Sequence, residues 1–541
     1  MECGSLLPPW LGAERCEASF ACQGASKLAH SKGFALPPAR RDGNAARWRQ
    51  NNRMDCQRKR GFVSRREFLF ESGGGLSGVA LAWLLNRQEL LAAGAYPCGR
   101  GPAPPDSPVA SRKPHFEPRA TAVISLFMSG GVSHVDTFDP KPDLDRYHGH
   151  ALEGKGEIIV RQGHPGPLMR SPFKFARYGE SGIDVSELFP HLARKVDEIA
   201  FIRSIYGKSN DHVQAHYELA SGTIRMGFPS LGSWVTYGLG TENQNLPAFV
   251  VIYDARGGPF GGPANWSAGY MPAAFQGVTF RASGDPIVDL RPPSSISPEE
   301  QRARLDLLAK LNDLDLRRYP ASSELAARIA SYELAYRMQG CAPEAVDWTK
   351  EPEPVQKLYG LDDPVTAPFG KQCLMARRLV ERGVRFVQLY HGGLGQQDFD
   401  TWDAHRNVKE NHTQHAAEVD RPMAGLLEDL RKTGLLDTTL VMWHSEFGRM
   451  PISQRGVGRD HNPGTMTIWM AGARIRGGQV VGASDEFGYK AAVEPHSTHD
   501  LHATILHLLG MDHKKLTYYF NGRNMRLTDV YGDPIRQIVT G

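Results

Sequence analysis

The sequence predicts an α/β fold in which helices cover both faces of a mainly parallel sheet. Three observations support this prediction. Short apolar runs alternate with amphipathic helices, the runs are apolar throughout, and clusters of polar residues follow them. Continuous apolar runs are typical of strands covered on both faces, and their alternation with helices is typical of parallel sheets. In open α/β sheets, ligands bind at the carboxyl ends of the strands, where these polar clusters fall.

Six apolar runs are the predicted strands, and two segments show clear helical periodicity. The strands are 122–127, 199–202, 248–253, 385–390, 439–443 and 466–470. In the first helix, 322–338, the apolar residues Leu325, Ile329, Tyr332 and Tyr336 are spaced by four, three and four. The second helix, 412–433, has the same kind of apolar face, formed by Ala416, Val419, Met423, Leu426 and Leu430.

The length and composition suggest one large domain with an insertion. Of the 541 residues, 41% are hydrophobic and 23% are charged, which is typical of a globular protein. Residues 96–118 are rich in proline and glycine and are predicted to be a linker, so the domain occupies residues 119–541. Residues 255–360 contain turns rich in glycine and proline and then two helices. We interpret them as the main insertion, a cap over the site.

The basic charge of the chain is confined to its N-terminal end. The whole sequence has a net charge of +4 and a pI of 8.6, but residues 1–95 carry +6 and the remaining residues −2. The excess of basic residues therefore does not predict a nucleic-acid partner.

Residues 54–95 have the pattern of a twin-arginine signal peptide. Arg65 and Arg66 precede a weakly hydrophobic stretch over residues 73–85, and small residues suited to cleavage follow it. Arg87 ends the apolar stretch well short of the roughly 20 residues that a membrane span needs. We therefore expect export through the twin-arginine machinery to the periplasm or cell envelope, without a stable membrane span.

Met54 opens a short basic segment directly before this signal, which is how such signals usually start. We expect translation to begin at Met54, so that residues 1–53 are either an untranslated or a disordered extension. N-terminal sequencing of the precursor would contradict this expectation if it found residues 1–20.

The cysteines that follow the signal do not indicate a metal knuckle. Cys98, Cys341 and Cys373 are odd in number and have no C-x-x-C spacing. They predict neither a zinc site nor a disulfide framework.

Four polar clusters follow four of the predicted strands, at residues 129–139, 209–216, 398–405 and 444–463. Asp403 and His405 lie two apart, so in extended backbone both side chains point the same way, as a pair of metal ligands requires. A single histidine is more often a hydrogen-bonded structural residue, but four such clusters favour a site. Mixed carboxylate and imidazole ligands suit zinc, manganese or iron better than calcium.

The motifs around these residues form a recognisable set: MSGGVSHVDTFDPKP, WDAH, LLEDLRKTGLLDTTLVMWHSEFGR, GRDHNP and DLHATILHLLG. Together they resemble an uncharacterised family of exported bacterial proteins, the domain of unknown function DUF1501, of the sulfatase and alkaline-phosphatase superfamily. The resemblance covers residues 120–541. It implies a three-layer α/β/α sandwich of the alkaline-phosphatase type, and it implies a divalent metal ion, whether zinc, manganese, iron or calcium.

The resemblance implies metal ligands where this sequence has matching residues. The Asp and His ligands that precede a helix in the phosphatases are similar to Asp403 and His405, although the spacing here is shorter. The later lone histidine ligand is similar to His461, which has Asp460 beside it. These residues imply one complete metal position.

A second metal position is implied less fully. The Ser-Asp-His-Gly motif of the superfamily resembles residues 445–448, which keep a carboxylate at Glu446 but have Phe447 in place of the ligand histidine. The acidic ligand after the first strand corresponds to Asp136, although two glycines occupy the expected place.

The nucleophile expected from the resemblance is missing. Sulfatases begin a Cys-x-Pro-Ser-Arg motif ten residues before a Thr-Gly, and counting back from Gly222 reaches His212 instead of a cysteine. Ser209 and Asp211 lie close by, and a serine at a helix N-terminus is a candidate nucleophile. Attack by a metal-bound hydroxide needs no protein nucleophile, and His212 is alternatively a metal ligand. Arg449 is placed to hold an oxyanion by bidentate contacts or to pair with a nearby carboxylate.

The last motif resembles the final helix of the superfamily. We expect Asp500 to cap its N-terminus and Gly510 to end it. His502 would then be a structural residue.

Two hypotheses of different classes follow. The first is an exported metal-dependent hydrolase of phosphate or sulfate esters, acting on a small-molecule or polysaccharide ester. The second is a noncatalytic binding or scaffold protein of the cell envelope that keeps the fold. Phe447 and the missing nucleophile favour the second hypothesis, whereas the acidic and histidine clusters favour the first.

Overall fold

The structure is a computed structural model that describes residues 107–161, 165–281, 287, 290, 293, 295–319, 323–395 and 399–539. The predicted extension, the signal peptide and the first part of the linker lie outside these residues. The rest of the linker follows the domain surface, where the backbone N–H groups of His115 and Phe116 donate to the carbonyl of Gly510. Among the described helices, none combines the length and apolar character that crossing a membrane requires.

The strands, in chain order, are β1 (Ala122–Met128), β2 (Phe175–Tyr178), β3 (Ile183–Ser186), β4 (Ile199–Tyr206), β5 (Phe249–Ile252), β6 (Val278–Phe280), β7 (Phe386–His391), β8 (Thr439–His444), β9 (Gly448–Arg449), β10 (His461–Asn462), β11 (Met466–Gly472), β12 (Gln479–Val481), β13 (Ala483–Ser484), β14 (Ala491–Val493), β15 (His496–Ser497), β16 (Tyr518–Phe520) and β17 (Arg523–Met525). The α-helices are α1 (Pro142–Arg146), α2 (His212–Ser221), α3 (Leu231–Leu239), α4 (Pro298–Arg318), α5 (Ser323–Val346), α6 (Glu353–Leu358), α7 (Ala367–Glu381), α8 (Val408–Lys432), α9 (Thr498–Leu508) and α10 (Arg536–Val539).

Nine strands form the central sheet, in the order β12-β4-β11-β8-β1-β7-β5-β6, with β15 beside β4. All six predicted strands belong to it. The pairs within the sheet are parallel except for those of β11, which is antiparallel to β4 and β8. Strand β11 follows β8 without an intervening helix, and parallel neighbours need a long crossover connection. The mainly parallel sheet is therefore confirmed, with one antiparallel strand.

Each central strand contributes side chains to two cores, which explains why its sequence is apolar throughout. In β1, Leu126 packs in one core with Leu374 of α7 and Met423 of α8. Its neighbour Phe127 packs in the other core with Trp234 of α3. Successive side chains of a strand point to opposite faces. The result is a three-layer α/β/α sandwich, as predicted.

Both predicted helices are present with different ends. Helix α8 begins at Val408 because the side chain of Asn407 accepts a hydrogen bond from the N–H of Glu410 and so caps the helix. Helix α5 continues beyond residue 338 to Val346 and contains Pro343. The apolar periodicity located each helix, but the capping contacts and packing set its ends.

The final helix begins one turn before the residue predicted to cap it. Ser497 is the N-cap of α9, and the carboxylate of Asp500 accepts a hydrogen bond from the N–H of Ser497. This reciprocal arrangement is a capping box, so Asp500 is the third helical residue and not the cap. Gly510 follows the helix in the left-handed region at φ 75°. His502 donates to the carbonyl of Leu219 at 2.8 Å, which is a structural role.

The predicted insertion is not separate from the sheet. Its strand β6 pairs in parallel with β5 at the sheet edge. Helices α4 and α5 form a pair joined by an ion pair between Arg302 and Glu333 at 2.7 Å.

The two cysteines in the described part of the chain differ in their state. Cys373 is a buried free thiol in the core. Cys341, in contrast, is disulfide-bonded. The sequence spacing gave no signal for this bond, because a disulfide needs proximity in space and not in sequence.

Candidate metal centre

Loops that leave β4, β7 and β8 meet at the carboxyl edge of the sheet. The first leads into α2, whose first residue is His212. The second carries Asp403 and His405. The third carries Glu446 and continues into the two-stranded ribbon of β9 and β10, where His461 lies. Residues that are far apart in the sequence are therefore neighbours at this edge.

Three histidines converge on the carboxylate of Asp403. His405 Nε2 lies 3.0 Å and His461 Nε2 lies 3.2 Å from Asp403 Oδ1. His212 Nε2 lies 3.3 Å from Asp403 Oδ2. This nitrogen atom is buried, and its contact with Asp403 is that of an ion pair when His212 is protonated. The Nε2 atoms of His405 and His461 are only 2.8 Å apart.

In each of these three rings, the Nδ1 atom has a hydrogen-bond acceptor beside it. His212 Nδ1 faces Glu446 Oε1 at 2.6 Å, and His461 Nδ1 faces the backbone carbonyl of Asn210 at 2.7 Å. His405 Nδ1 contacts the side-chain oxygen of Gln454. A ring whose Nδ1 donates to such an acceptor presents a lone pair on Nε2 in its neutral form. Partners of this kind commonly orient the histidine ligands of metal ions.

Two overlapping sets of ligand atoms are close enough to hold a small divalent cation. One set is His212, Asp403 and His461, the other is His405, Asp460 and His461, and within each set the atoms lie within 4.8 Å of one another. Nitrogen and oxygen ligands lie about 2.0–2.2 Å from zinc, so the ligand atoms of a tetrahedral site are about 3.3–3.5 Å apart. The observed separations between Asp403 and the three imidazoles are 3.0 to 3.3 Å. The Nε2 atoms of His405 and His461, 2.8 Å apart, are close enough for one ring to donate a hydrogen bond to the other. The residues present therefore fit a metal ion.

The electrostatics of the cluster favour the ionised carboxylates. Burial raises the pKa of Asp403, but Arg449 and the neighbouring imidazoles outweigh this effect and hold it well below its ordinary value. Burial lowers the pKa of His212, but hydrogen bonds to Asp403 and Glu446 outweigh it and raise the pKa to about 9. Burial and the charge of His212 lower the pKa of His461 to about 4. Without a cation, the excess proton of the cluster therefore lies on His212.

Glu446 faces the Nδ1 atom of His212 and also accepts hydrogen bonds from two other groups. Its carboxylate accepts from the N–H of Gly130 at 2.8 Å and from the hydroxyl of Ser445 at 2.9 Å, in addition to His212. Burial raises its pKa, but the histidines His216 and His212 lower it to about 2 overall. Glu446 thus orients a candidate ligand.

Arg449, predicted to hold an oxyanion or to pair with a carboxylate, forms an ion pair. Its guanidinium is fully buried and donates to Asp403 Oδ1 at 2.6 Å. It also donates to the carbonyls of Gly130, Gly131 and Arg459. Because the N–H groups of its guanidinium donate to these acceptors, Arg449 holds Asp403 and the loop after β1 in place.

Asp136, predicted as a metal ligand, lies outside the cluster. Both of its oxygens face Arg459, at 2.6 Å and 3.1 Å, and Ser133 donates to the same carboxylate. Neither side chain of the ion pair is exposed to solvent. Arg459 therefore occupies the positions on Asp136 where a cation would bind.

Ser209 and Asp211 serve the start of α2. The hydroxyl of Ser209 donates to Gln214 Oε1 at 2.8 Å. Asp211 is the N-cap of the helix, and it also pairs with Arg161 at 2.7 Å. These contacts position the helix that presents His212.

Asp460 lies beside the cluster. One of its oxygens accepts from the N–H of His461 at 2.8 Å, and the other accepts from the N–H of Arg161.

Two aromatic side chains form the walls of the site. Phe260, from the predicted cap segment, stacks on the ring of His212 with centroids 4.3 Å apart and planes 10° apart. Phe447 packs against His461 with a centroid distance of 4.5 Å. Among the four converging residues, Asp403 is the most exposed, at 24% of its side chain, so the site opens toward solvent on its side.

The fold and the site define an α/β/α sandwich protein with a candidate cation site at the carboxyl edge of its sheet. The chain belongs to the family described as protein of unknown function (DUF1501), whose family model matches residues 120–539. No curated protein matches the sequence.

Solved structures that align with the chain include a sulfatase, an alkaline phosphatase and a phosphonate monoester hydrolase. The PsFucS1 sulfatase from Pseudoalteromonas sp. is 14% identical over 78% of this chain and 72% of its own, with a TM-score of 0.33. The alkaline phosphatase from the Antarctic bacterium TAB5 is 10% identical over 74% of this chain and 99% of its own, with a TM-score of 0.31. The phosphonate monoester hydrolase SpPMH from Silicibacter pomeroyi is 12% identical over 64% and 72%, with a TM-score of 0.29.

Proposed function

We propose that this protein is an exported metal-dependent hydrolase of phosphate or sulfate esters. One observation carries the proposal: the three imidazole Nε2 atoms that converge on Asp403, each ring having an acceptor beside its Nδ1. A divalent cation supplies polarisation of the ester oxygen and a more acidic water molecule. The substrate would be a small-molecule or polysaccharide ester.

The roles of the protein groups follow from their contacts. Asp403, His405, His461 and His212 would hold the cation, and Glu446 keeps His212 in the tautomer that binds it. Phe260 and Phe447 cover the rings of His212 and His461 and so exclude water from that side. The substrate would approach from the exposed side of Asp403.

The contacts support one cation. Of the residues considered for a second position, Asp136 is bound by Arg459, and Glu446 already accepts from Gly130, Ser445 and His212. Removing Arg459 from a buried ion pair to admit a metal would leave its charge without a partner.

The test is metal content followed by hydrolysis. Protein purified without chelator is expected to contain about one equivalent of zinc, manganese or iron, because the two possible ligand sets share His461. The metal-loaded protein should then hydrolyse p-nitrophenyl phosphate or p-nitrophenyl sulfate, and removal of the metal should abolish the activity. Metal binding without hydrolysis of esters would favour a binding protein, and folded protein that takes up no metal would favour the noncatalytic scaffold.

Metal affinity is expected to rise with pH. In the metal-free protein the pKa of His212 is about 9, so at neutral pH a bound cation must displace its proton. His461 has a pKa of about 4 and is already neutral. Between pH 6 and 8 the affinity for Zn²⁺ should therefore increase about tenfold per pH unit, with about one proton released. Titration calorimetry in buffers of different ionisation enthalpy measures this release, and a pH-independent affinity would contradict it.

Export is the second part of the proposal. The paired arginines and the weakly hydrophobic stretch of residues 54–95 support it, and the disulfide of Cys341 is compatible with an oxidising compartment. Replacing both Arg65 and Arg66 by lysine should leave the protein as an uncleaved precursor in the cytoplasmic fraction, since the signal depends on the arginine pair. Cleavage and export of this variant at the wild-type level would contradict a twin-arginine signal.

A further inference from the structure

A second group of histidines and a carboxylate lies close to the loop that carries Asp403. It consists of His391 at the end of β7 and of His415 and Glu418 on α8. The ligand atoms of these three residues lie within 4.8 Å of one another, which is close enough for a cation. Their hydrogen bonds, however, differ from those of the metal centre.

His391 has no lone pair to offer a cation. The indole N–H of Trp402 donates to His391 Nδ1 at 3.0 Å, so this nitrogen is unprotonated and the neutral ring carries its proton on Nε2. That Nε2 lies 2.8 Å from Glu418 Oε2. The guanidinium of Arg256 contacts the same oxygen at 2.9 Å. The group is therefore an ion-paired hydrogen-bond network and not a metal site.

This network holds the main chain directly before Asp403. His415 Nε2 donates to the carbonyl of Thr401 at 2.7 Å, and Asn411 Nδ2 donates to the same carbonyl at 2.8 Å. The indole of Trp402 is fully buried and packs against the ring of His415 with centroids 5.2 Å apart. The chain before Asp403 is thus held at the carbonyl of Thr401 and at the indole of Trp402.

The loop after β1 confines the same segment from another side. The backbone N–H of Trp402 donates to the carbonyl of Ser129 at 2.9 Å. Gly130 has a φ of 121°, and a Cβ there would lie 2.5 Å from the backbone nitrogen of Asp403. A shift of Trp402 would therefore shift Asp403 with it.

We propose that His391 and Trp402 are positioning residues that set the carboxylate of Asp403 for metal binding. This inference rests on the proposed function, because it assumes that Asp403 is a metal ligand. The hydrogen bond between the two side chains fixes the indole, and the indole precedes Asp403 by one residue in the chain. A ligand must be held within about 0.5 Å of its productive position, so loss of this bond weakens the metal site.

The test is a double-mutant cycle on the affinity of the full chain for Zn²⁺, measured by competition with a chromophoric chelator. His391→Leu and Trp402→Phe each remove the hydrogen bond and leave an apolar side chain at the substituted position. Each is expected to weaken Zn²⁺ binding about 10–100-fold, as loss of outer partners of a metal site does. The double variant should bind about as weakly as the single variants, because both remove the same bond. His391→Asn places an amide oxygen near the position of Nδ1 and should restore part of the affinity.

A matched control separates positioning from stability. Tyr359→Phe removes a buried hydrogen bond of 2.9 Å to Asp429, which lies near the other end of α8. It should lower the free energy of unfolding and leave the Zn²⁺ affinity unchanged. Wild-type affinity in both single variants, or fully additive losses in the double variant, would overturn the positioning role. If the wild-type chain itself bound no Zn²⁺, the proposed function would fail, and this inference with it.

Discussion

Replacing His461 by alanine, or Asp403 by asparagine, is expected to abolish metal binding in a chain that still folds. Asp403→Asn also removes the charged partner of the buried Arg449 and should lower the free energy of unfolding. Asp403 contacts all three histidines of the cluster, and His461 contributes one of the three converging nitrogens. His461→Ala removes a nitrogen donor, and Asp403→Asn replaces an anionic ligand by a neutral amide oxygen, so each variant weakens the ligand set. Metal content should fall from about one equivalent per chain to a background level when it is measured by plasma mass spectrometry.

A histidine outside the cluster provides the matched control. His502 is also buried, and it donates to a backbone carbonyl of α2. His502→Ala should destabilise the protein and keep its metal. Wild-type metal content in both His461→Ala and Asp403→Asn would exclude this cluster as the metal site. The circular dichroism spectra of both variants should match that of the wild type.

Replacing Asp136 by asparagine is expected to lower the free energy of unfolding by about 3–5 kcal/mol, since it leaves the buried charge of Arg459 without a partner. Neither side chain of the pair is exposed, and Arg459 approaches Asp136 within 2.6 Å. Burial raises the pKa of Asp136, but Arg459 outweighs this effect, so the carboxylate is ionised in the folded protein. Chemical denaturation of the wild type and the variant measures the difference.

The double variant and a surface pair make this experiment decisive. Asp136→Asn combined with Arg459→Met should recover part of the stability, because no unpaired charge then remains buried. Asp313 pairs with Arg317 on the exposed side of α4, and Asp313→Asn should change stability by less than about 1 kcal/mol. Metal content should be unchanged in Asp136→Asn if the chain remains folded. Loss of metal from the folded variant would instead make Asp136 a ligand.

Much of the site followed from the positions of polar residues after predicted strands. Asp403, His405 and His461 come after strands whose carboxyl ends meet at one edge, so their proximity was predictable. Asp136 also follows a strand, but its partner Arg459 is 323 residues away in the sequence. A local pattern cannot reveal whether a carboxylate at a sheet edge will face a cation or a guanidinium.

Two of the groups that face the Nδ1 atoms of the ligands, Asn210 and Gln454, had no sequence signal. Asn210 acts through its backbone carbonyl, which every residue has. Gln454 is 49 residues from His405 and belongs to no metal-ligand motif. His391 and His415 were not predicted as part of the site, because neither follows a spacing typical of ligands. Their role depends on Trp402, whose indole contacts both rings.

The sequence by itself determined the elements and the layers of this protein. Runs such as 122–127 are apolar on both faces, and 412–433 has apolar residues at helical spacing, so their burial in a layered sheet follows from local patterns. Tertiary structure decided that β11 runs antiparallel, that Asp136 pairs with Arg459, and that three imidazoles turn their Nε2 atoms toward Asp403. Hydrophobic periodicity acts between neighbours in the chain, whereas ion pairs and histidine tautomers depend on partners that only folding brings within about 3 Å.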